Sequence, residues 1–210
     1  MNILKLFRRY KSSLKKSPGD PGRFEIVISG SGGQGIILAG RILAEAASIY
    51  DRKEAVMAQS YGPEARGGAS RAEIIISEKK IDYPKVMNVD ILLAMTQEAM
   101  DKYGFLLGPN GLLIADETLV KEIPSRFKCV FKAPFSLQAI KLLGAPIVSN
   151  IIALGALASI TKVISRDALI RTLLDLVSKK VLVMDRIAID TGFKLAQESG
   201  FQWEKRRAEK

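Results

Sequence analysis

From position 23 onward, short apolar runs alternate with longer amphipathic stretches, and the two periods predict strands and helices in turn. Strands are predicted over 24–29, 55–58, 72–77, 89–95, 111–116 and 127–132, with a hairpin-like Glu78-Lys79-Lys80 after the third. Helices are predicted over 36–50, 97–103, 136–143, 149–160, 166–178 and 183–197. Strands that are apolar on both faces belong in a sheet covered on both sides. The expected fold is therefore α/β: a doubly wound, mostly parallel sheet with helices on both faces, a Rossmann-like three-layer arrangement.

Two glycine-rich segments interrupt this pattern, each after a predicted strand. The first is Gly30-Ser31-Gly32-Gly33-Gln34-Gly35, between a strand and a helix. Such a turn exposes backbone N–H groups at the positive end of a helix, where a phosphate sits well. A dinucleotide site also wants an acid at the end of the second strand. That strand ends Met57-Ala58-Gln59, while Asp51 and Glu54 lie before it or at its start. A P-loop wants Lys-Ser/Thr after the last glycine, and Ile36-Ile37 stand there. NAD and NTP are both disfavoured. Two readings remain: a phosphate or pyrophosphate of another ligand such as coenzyme A, or a tight strand–helix turn that holds no ligand.

The second segment runs Gln59-Ser60-Tyr61-Gly62-Pro63-Glu64-Ala65-Arg66-Gly67-Gly68-Ala69-Ser70-Arg71. Arg66 and Arg71 can each grip a carboxylate or phosphate as a fork. Equally, Arg66 can pair with Glu64 or cap a carbonyl to hold the loop.

Composition narrows the chemistry. The 210 residues suit one domain with a sizeable core. The longest apolar run, 147–160, falls short of the roughly 18–20 residues of a membrane span and includes Ser149 and Asn150, so it predicts a buried helix. There is no histidine, which removes the commonest general base, triads built on it, and most zinc sites. One cysteine, Cys129, excludes disulfide frameworks and iron–sulfur cages within the chain; in its apolar run it is expected to be a small buried hydrophobe. No catalytic residue and no metal ligand is assigned, and a cytoplasmic setting is expected.

The net charge of +10 is concentrated at the ends: +6 over residues 1–23, +2 over 201–210, and near +2 between. A uniformly basic nucleic-acid face is not what this gives. Residues 1–22 are expected to be a basic arm and linker, 23–200 the domain, and 201–210 a basic tail. The arm carries Ile3, Leu4, Leu6, Phe7 and Leu14 among its cations and ends in Ser17-Pro18-Gly19-Asp20-Pro21-Gly22. Its apolar stretch is too interrupted for a signal peptide. It reads as a solvated or loosely docked arm, or as a basic amphipathic helix on a partner subunit; neither nucleic acid nor membrane is the expected partner.

Together the two loops resemble the γ subunit of 2-oxoacid:ferredoxin oxidoreductases, the pyruvate/ketoisovalerate oxidoreductase γ family. The resemblance also takes in Ile81-Asp82-Tyr83-Pro84, the 90–94 strand, the 108–116 segment and the 150–157 helix, and covers about 24–200. The wording Ser-Tyr-Gly-Pro-Glu-Ala-Arg-Gly-Gly is similar to the 2-oxoglutarate branch. The resemblance implies a subunit, inactive alone, of an enzyme converting a 2-oxoacid, coenzyme A and oxidised ferredoxin to acyl-CoA, carbon dioxide and reduced ferredoxin. It implies thiamine diphosphate and Mg between α and β subunits, iron–sulfur clusters on a ferredoxin-like δ subunit or domain, and no cofactor bound by this chain alone. By the same resemblance Gly30, Ser31, Gly32, Gly33, Gln34 and Gly35 would cradle a CoA phosphate. Ser60, Tyr61, Gly62, Pro63, Glu64, Arg66, Gly67, Gly68, Arg71 and Asn150 would line the partner interface and the CoA path. The alternatives are a stand-alone nucleotide- or flavin-dependent oxidoreductase, and a scaffold subunit that binds no ligand.

Overall fold

The computed structural model describes residues 22–60, 68–176 and 179–205. The basic arm therefore lies outside the described residues, apart from Gly22. Six strands form one sheet: β1 (Arg23–Ser31), β2 (Glu54–Ser60), β3 (Ala69–Ser77), β4 (Val89–Ala94), β5 (Leu107–Asp116) and β6 (Cys129–Ala133). Their order across the sheet is β2-β3-β1-β4-β5-β6. β1, β4, β5 and β6 pair in parallel, whereas β3 runs antiparallel to both β1 and β2. The sheet is thus mostly parallel, as expected, with one reversed strand. The short connection between β2 and β3 explains the reversal, because a parallel crossover needs a dozen or more residues.

Glu78-Lys79-Lys80 does not form a hairpin. It leads into an irregular segment before β4, which pairs with β1 rather than β3. That segment is held by the buried Glu25 carboxylate, which accepts the N–H groups of Met87 (2.5 Å) and Asn88 (2.7 Å) and pairs with Arg23 (3.0 Å). These donors satisfy the hydrogen-bonding capacity of a carboxylate taken out of water.

The helices are α1 (Ile36–Glu45, continuing as a π-turn over Ala46–Tyr50), α2 (Gln97–Tyr103), α3 (Phe135–Leu143), α4 (Ser149–Thr161), α5 (Arg166–Leu176) and α6 (Lys179–Glu198). Strand residues alternate between two cores. Ile26, Ile28, Ile74, Leu93 and Ile114 face α1 and α3–α6; Val27, Leu92 and Leu113 face α2. Helices cover both faces, but unequally. α4 is buried from Ser149 through Ile160, as suits a helix that is apolar all round. It lies against α6 at backbone contact. A Cβ on Gly155 would come 2.5 Å from the Ile189 carbonyl, and one on Gly192 would enter the Ile152 carbonyl. Only glycine permits that approach.

Part of the C-terminal tail is docked rather than free. Phe201 and Trp203 pack on the core, and Lys205 binds both the Arg23 carbonyl and the Asp90 carboxylate (2.8 Å). Burial pushes the Asp90 carboxyl above its usual range, and Lys205 opposes that shift. Cys129 on edge strand β6 is half-buried rather than buried, because it lies at the open end of the sheet order. Among the described residues no helix is long and apolar enough to cross a membrane.

Candidate functional site

The first glycine segment lies at the C-terminal edge of the sheet, where Gly30 and Ser31 end β1 and Gly32–Gly35 lead into α1. β1 and β4 are parallel neighbours, and the helices that follow them leave to opposite faces. This is the topological switch point, where open α/β sheets leave a ligand-sized crevice.

The two helices that begin there differ at their N-termini. α2 is closed by its own sequence: the Thr96 hydroxyl accepts the Ala99 N–H at 3.2 Å. α1 has no such cap, and its N-cap position is Gly35 in the left-handed region, φ 68°. Its first N–H groups are left for something else to satisfy. Gly32 and Gly33 are exposed, and a Cβ on either would meet none of the described residues within 4 Å. Backbone here is open to an approaching anion.

Not every predicted cradle residue is available. The Gln34 side-chain oxygen accepts the Ser31 N–H at 2.8 Å, and the Gln34 N–H returns to the Ser31 carbonyl at 3.2 Å. These two residues close the turn upon itself. Gly30 belongs to β1, and a side chain there would strike the Gln34 oxygen, Ile36 and Met95. The open part of the segment is Gly32 and Gly33.

The second segment meets the first at its base. Gly30 pairs with Ser70 and Ser31 with Ala69 across β1 and β3, and the Ser70 hydroxyl donates to the Gly30 carbonyl at 3.3 Å. Ser60 ends β2 opposite Arg71, and Gly68 stands just before β3. Tyr61, Gly62, Pro63, Glu64, Arg66 and Gly67 lie outside the described residues. Arg71 is not brought to the α1 side. It turns to the α2 face, where it pairs with Glu73 (2.7 Å) and lies over the Tyr103 ring at 5.1 Å; its Nε is buried without a partner.

Asn150 is brought in from the start of α4. Its Nδ2 donates to the Gly35 carbonyl at 3.1 Å, and its Oδ1 is buried with no hydrogen-bond partner among the described residues. Ile147 (53% exposed) stands beside Gly35, and Leu38 (42% exposed) is an exposed apolar residue in the first turn of α1. Sequence reading missed both, as well as Thr96. A Thr followed by a helical pattern is an N-cap signal and could have been found. The two apolar residues have no local signature.

The structure also moves the place where a dinucleotide acid should be sought. Gln59 is the penultimate residue of β2, which β3 separates from β1. The parallel neighbour of β1 is β4, and the chain there reads Ala94-Met95-Thr96-Gln97, without a carboxylate. The nearby Glu98 is engaged by the Ala69 N–H at 3.2 Å. NAD remains disfavoured, on different residues. Asp116 at the end of β5 is also engaged: it accepts the Thr118 N–H (3.0 Å), the Ser136 N–H (3.1 Å) and the Ser136 hydroxyl. Among the described residues no three His, Cys, Asp or Glu side chains gather as metal ligands.

Residues 25–195 match the family described as pyruvate ferredoxin/flavodoxin oxidoreductase. The chain is 46% identical over 178 residues to a 2-oxoglutarate synthase subunit KorC of Methanocaldococcus jannaschii, covering 84% of this chain and 95% of that one. It superposes with TM-score 0.78 and 45% identity on the γ subunit of a keto/oxoacid ferredoxin oxidoreductase from Geobacter sulfurreducens, over 84% of this chain and 98% of that one. It also matches a 2-oxoglutarate:ferredoxin oxidoreductase from Magnetococcus marinus, solved with 2-oxoglutarate, coenzyme A and succinyl-CoA bound, with TM-score 0.80 and 25% identity. That match takes in 90% of this chain but 34% of the longer one. The chain belongs to the pyruvate ferredoxin/flavodoxin oxidoreductase family, as a subunit of its γ type.

Proposed function

We propose that this chain is the γ subunit of a 2-oxoglutarate:ferredoxin oxidoreductase and that the open N-terminus of α1 receives a phosphate of coenzyme A. The uncapped helix behind exposed Gly32 and Gly33 carries this reading, because beside it α2 is capped by Thr96. The backbone N–H groups and the helix dipole would hold the phosphate, and no side chain is needed for charge. The names of the similar subunits favour 2-oxoglutarate over other oxoacids.

The reaction turns 2-oxoglutarate, coenzyme A and oxidised ferredoxin into succinyl-CoA, carbon dioxide and reduced ferredoxin. Thiamine diphosphate with Mg on α and β subunits supplies the decarboxylation chemistry, and iron–sulfur clusters on a ferredoxin-like δ subunit carry the electrons. The single cysteine of this chain cannot by itself ligate an iron–sulfur cluster. The chain's part is to bind and orient coenzyme A and to close the site against a partner. The exposed Leu38 and Ile147 suit such cover in a cytoplasmic complex. In the Magnetococcus enzyme the same fold is one part of a longer polypeptide, which accords with a lasting contact.

Gly32→Val is the sharper test of this site. Its side chain enters open space, whereas Gly33 has φ 88° and would itself be strained by substitution. In the assembled complex, Gly32→Val should raise the KM for coenzyme A and leave that for 2-oxoglutarate unchanged. An unchanged coenzyme A KM with intact assembly would make the turn a scaffold feature. Tight NAD(H) or flavin binding by the purified chain would overturn the subunit reading.

A further inference from the structure

We infer that Asn150 is a positioning residue that aims the first donor of α1 at the bound anion, and that the fold keeps it at a cost in stability. The inference rests on the coenzyme A reading above.

Asn150 is 2% exposed. Its Nδ2 bonds the Gly35 carbonyl, yet that carbonyl already accepts the Ala39 N–H at 2.9 Å. The bond is therefore not required to satisfy Gly35. Meanwhile Oδ1 is buried and unpaired among the described residues. Leaving a buried acceptor without a donor loses more than a redundant hydrogen bond returns. An apolar side chain of similar size would remove both atoms and would match Ile151 and Ile152, its buried neighbours on α4. Folding alone does not ask for an amide here.

Orientation does. The Gly35 carbonyl and the Ile36 N–H belong to one planar peptide and point in opposite directions. Fixing the carbonyl fixes the N–H, which is the first backbone donor of α1. Asn150 reaches that carbonyl from a helix that is itself immobilised, since Gly155 and Gly192 bring α4 and α6 into backbone contact behind it. A donor aimed from a rigid element is what an anion site needs. Gly35 has φ 68° and no side-chain cap, so its carbonyl is held from two sides only, by the Ala39 N–H within α1 and by Asn150 from α4.

The test compares Asn150→Leu with the parent chain in the assembled complex. Equilibrium titration with coenzyme A, in the absence of oxoacid, should show affinity falling about fivefold. The KM for coenzyme A should rise in parallel and that for 2-oxoglutarate should stay. The urea midpoint of the full chain should be unchanged or higher. A lower midpoint, or an unchanged coenzyme A affinity, overturns the inference. If the leucine variant fails to assemble, Asn150→Ala is measured in the same way, and an unchanged coenzyme A affinity in it overturns the inference. Gly32→Val separates the two levels. If it weakens coenzyme A and Asn150→Leu does not, the positioning role fails and the site stands. If neither variant weakens coenzyme A, the site itself is wrong.

Discussion

The Asn150 amide nitrogen donates to the Gly35 carbonyl at 3.1 Å and also fills the space that a side chain on Gly35 would need. Two elements 115 residues apart are thereby fitted to each other at one backbone position. Gly35 is constrained twice, by its left-handed φ and by Asn150.

Gly35→Ala should therefore cost more than left-handed strain alone, which is about 1–2 kcal/mol. Replacing Asn150 by glycine relieves the steric part only. A double-mutant cycle by urea denaturation should show Gly35→Ala costing less in the Asn150→Gly background. Equal cost in both backgrounds would mean that Asn150 is not the obstacle.

The crossing of α4 and α6 is less forgiving. A Cβ on Gly192 would enter the Ile152 carbonyl and approach the Ala156 nitrogen at 2.7 Å. Both are backbone atoms, so no side chain can move aside. Gly192→Ala should destabilise the chain by about 3 kcal/mol or prevent folding. Gly144→Ala is the matched control: it has φ 61° and open space, and should cost only about 1 kcal/mol. Equal urea midpoints for the two variants would contradict the close crossing.

Asp185 shares the buried stripe of α6 with Ala188, Ile189 and Ala196, and burial pushes its carboxyl up to about 6. The folded chain then holds a proton that the unfolded chain releases near 3.8. Its stabilising contribution is full below about pH 4 and is lost as pH rises through about 6. Asp185→Asn should abolish this slope. The stability difference, variant minus parent, should grow between pH 4 and pH 7 by roughly 2–3 kcal/mol. A difference that stays flat with pH would place Asp185 in contact with water or a partner charge.

Trp203 is the only tryptophan and packs partly buried against the core beside Phe201. Lys205 holds the segment in place through the Arg23 carbonyl and Asp90. Lys205→Ala should red-shift the tryptophan emission and raise its quenching by iodide, with the rest of the fold intact. Unchanged emission would show that Phe201 and Trp203 dock without the lysine.

Much of this was legible in sequence because it is local. Apolar period, strand length and the glycine turn after β1 depend on neighbours a few positions away, and each strand and helix was found with ends displaced by a few residues. The direction of β3, the unformed hairpin at Glu78-Lys79-Lys80, and the docking of Phe201 and Trp203 are not local. They depend on which strand lies beside which. The same limit misdirected the search for a dinucleotide acid to Gln59, when the neighbour of β1 is β4.

The chain's sequence by itself determined an α/β sheet, a glycine-rich turn between a strand and a helix, and the lack of histidine and of cysteine ligands for clusters. Those follow from residue type and spacing. Only the tertiary structure decided that Gln34 and Ser31 close the turn, that Gly32 and Gly33 are exposed, that Arg71 faces the other side, and that the Asn150 amide reaches the Gly35 carbonyl. Each is a matter of direction, and direction at one site is fixed by packing against elements that are distant in the chain.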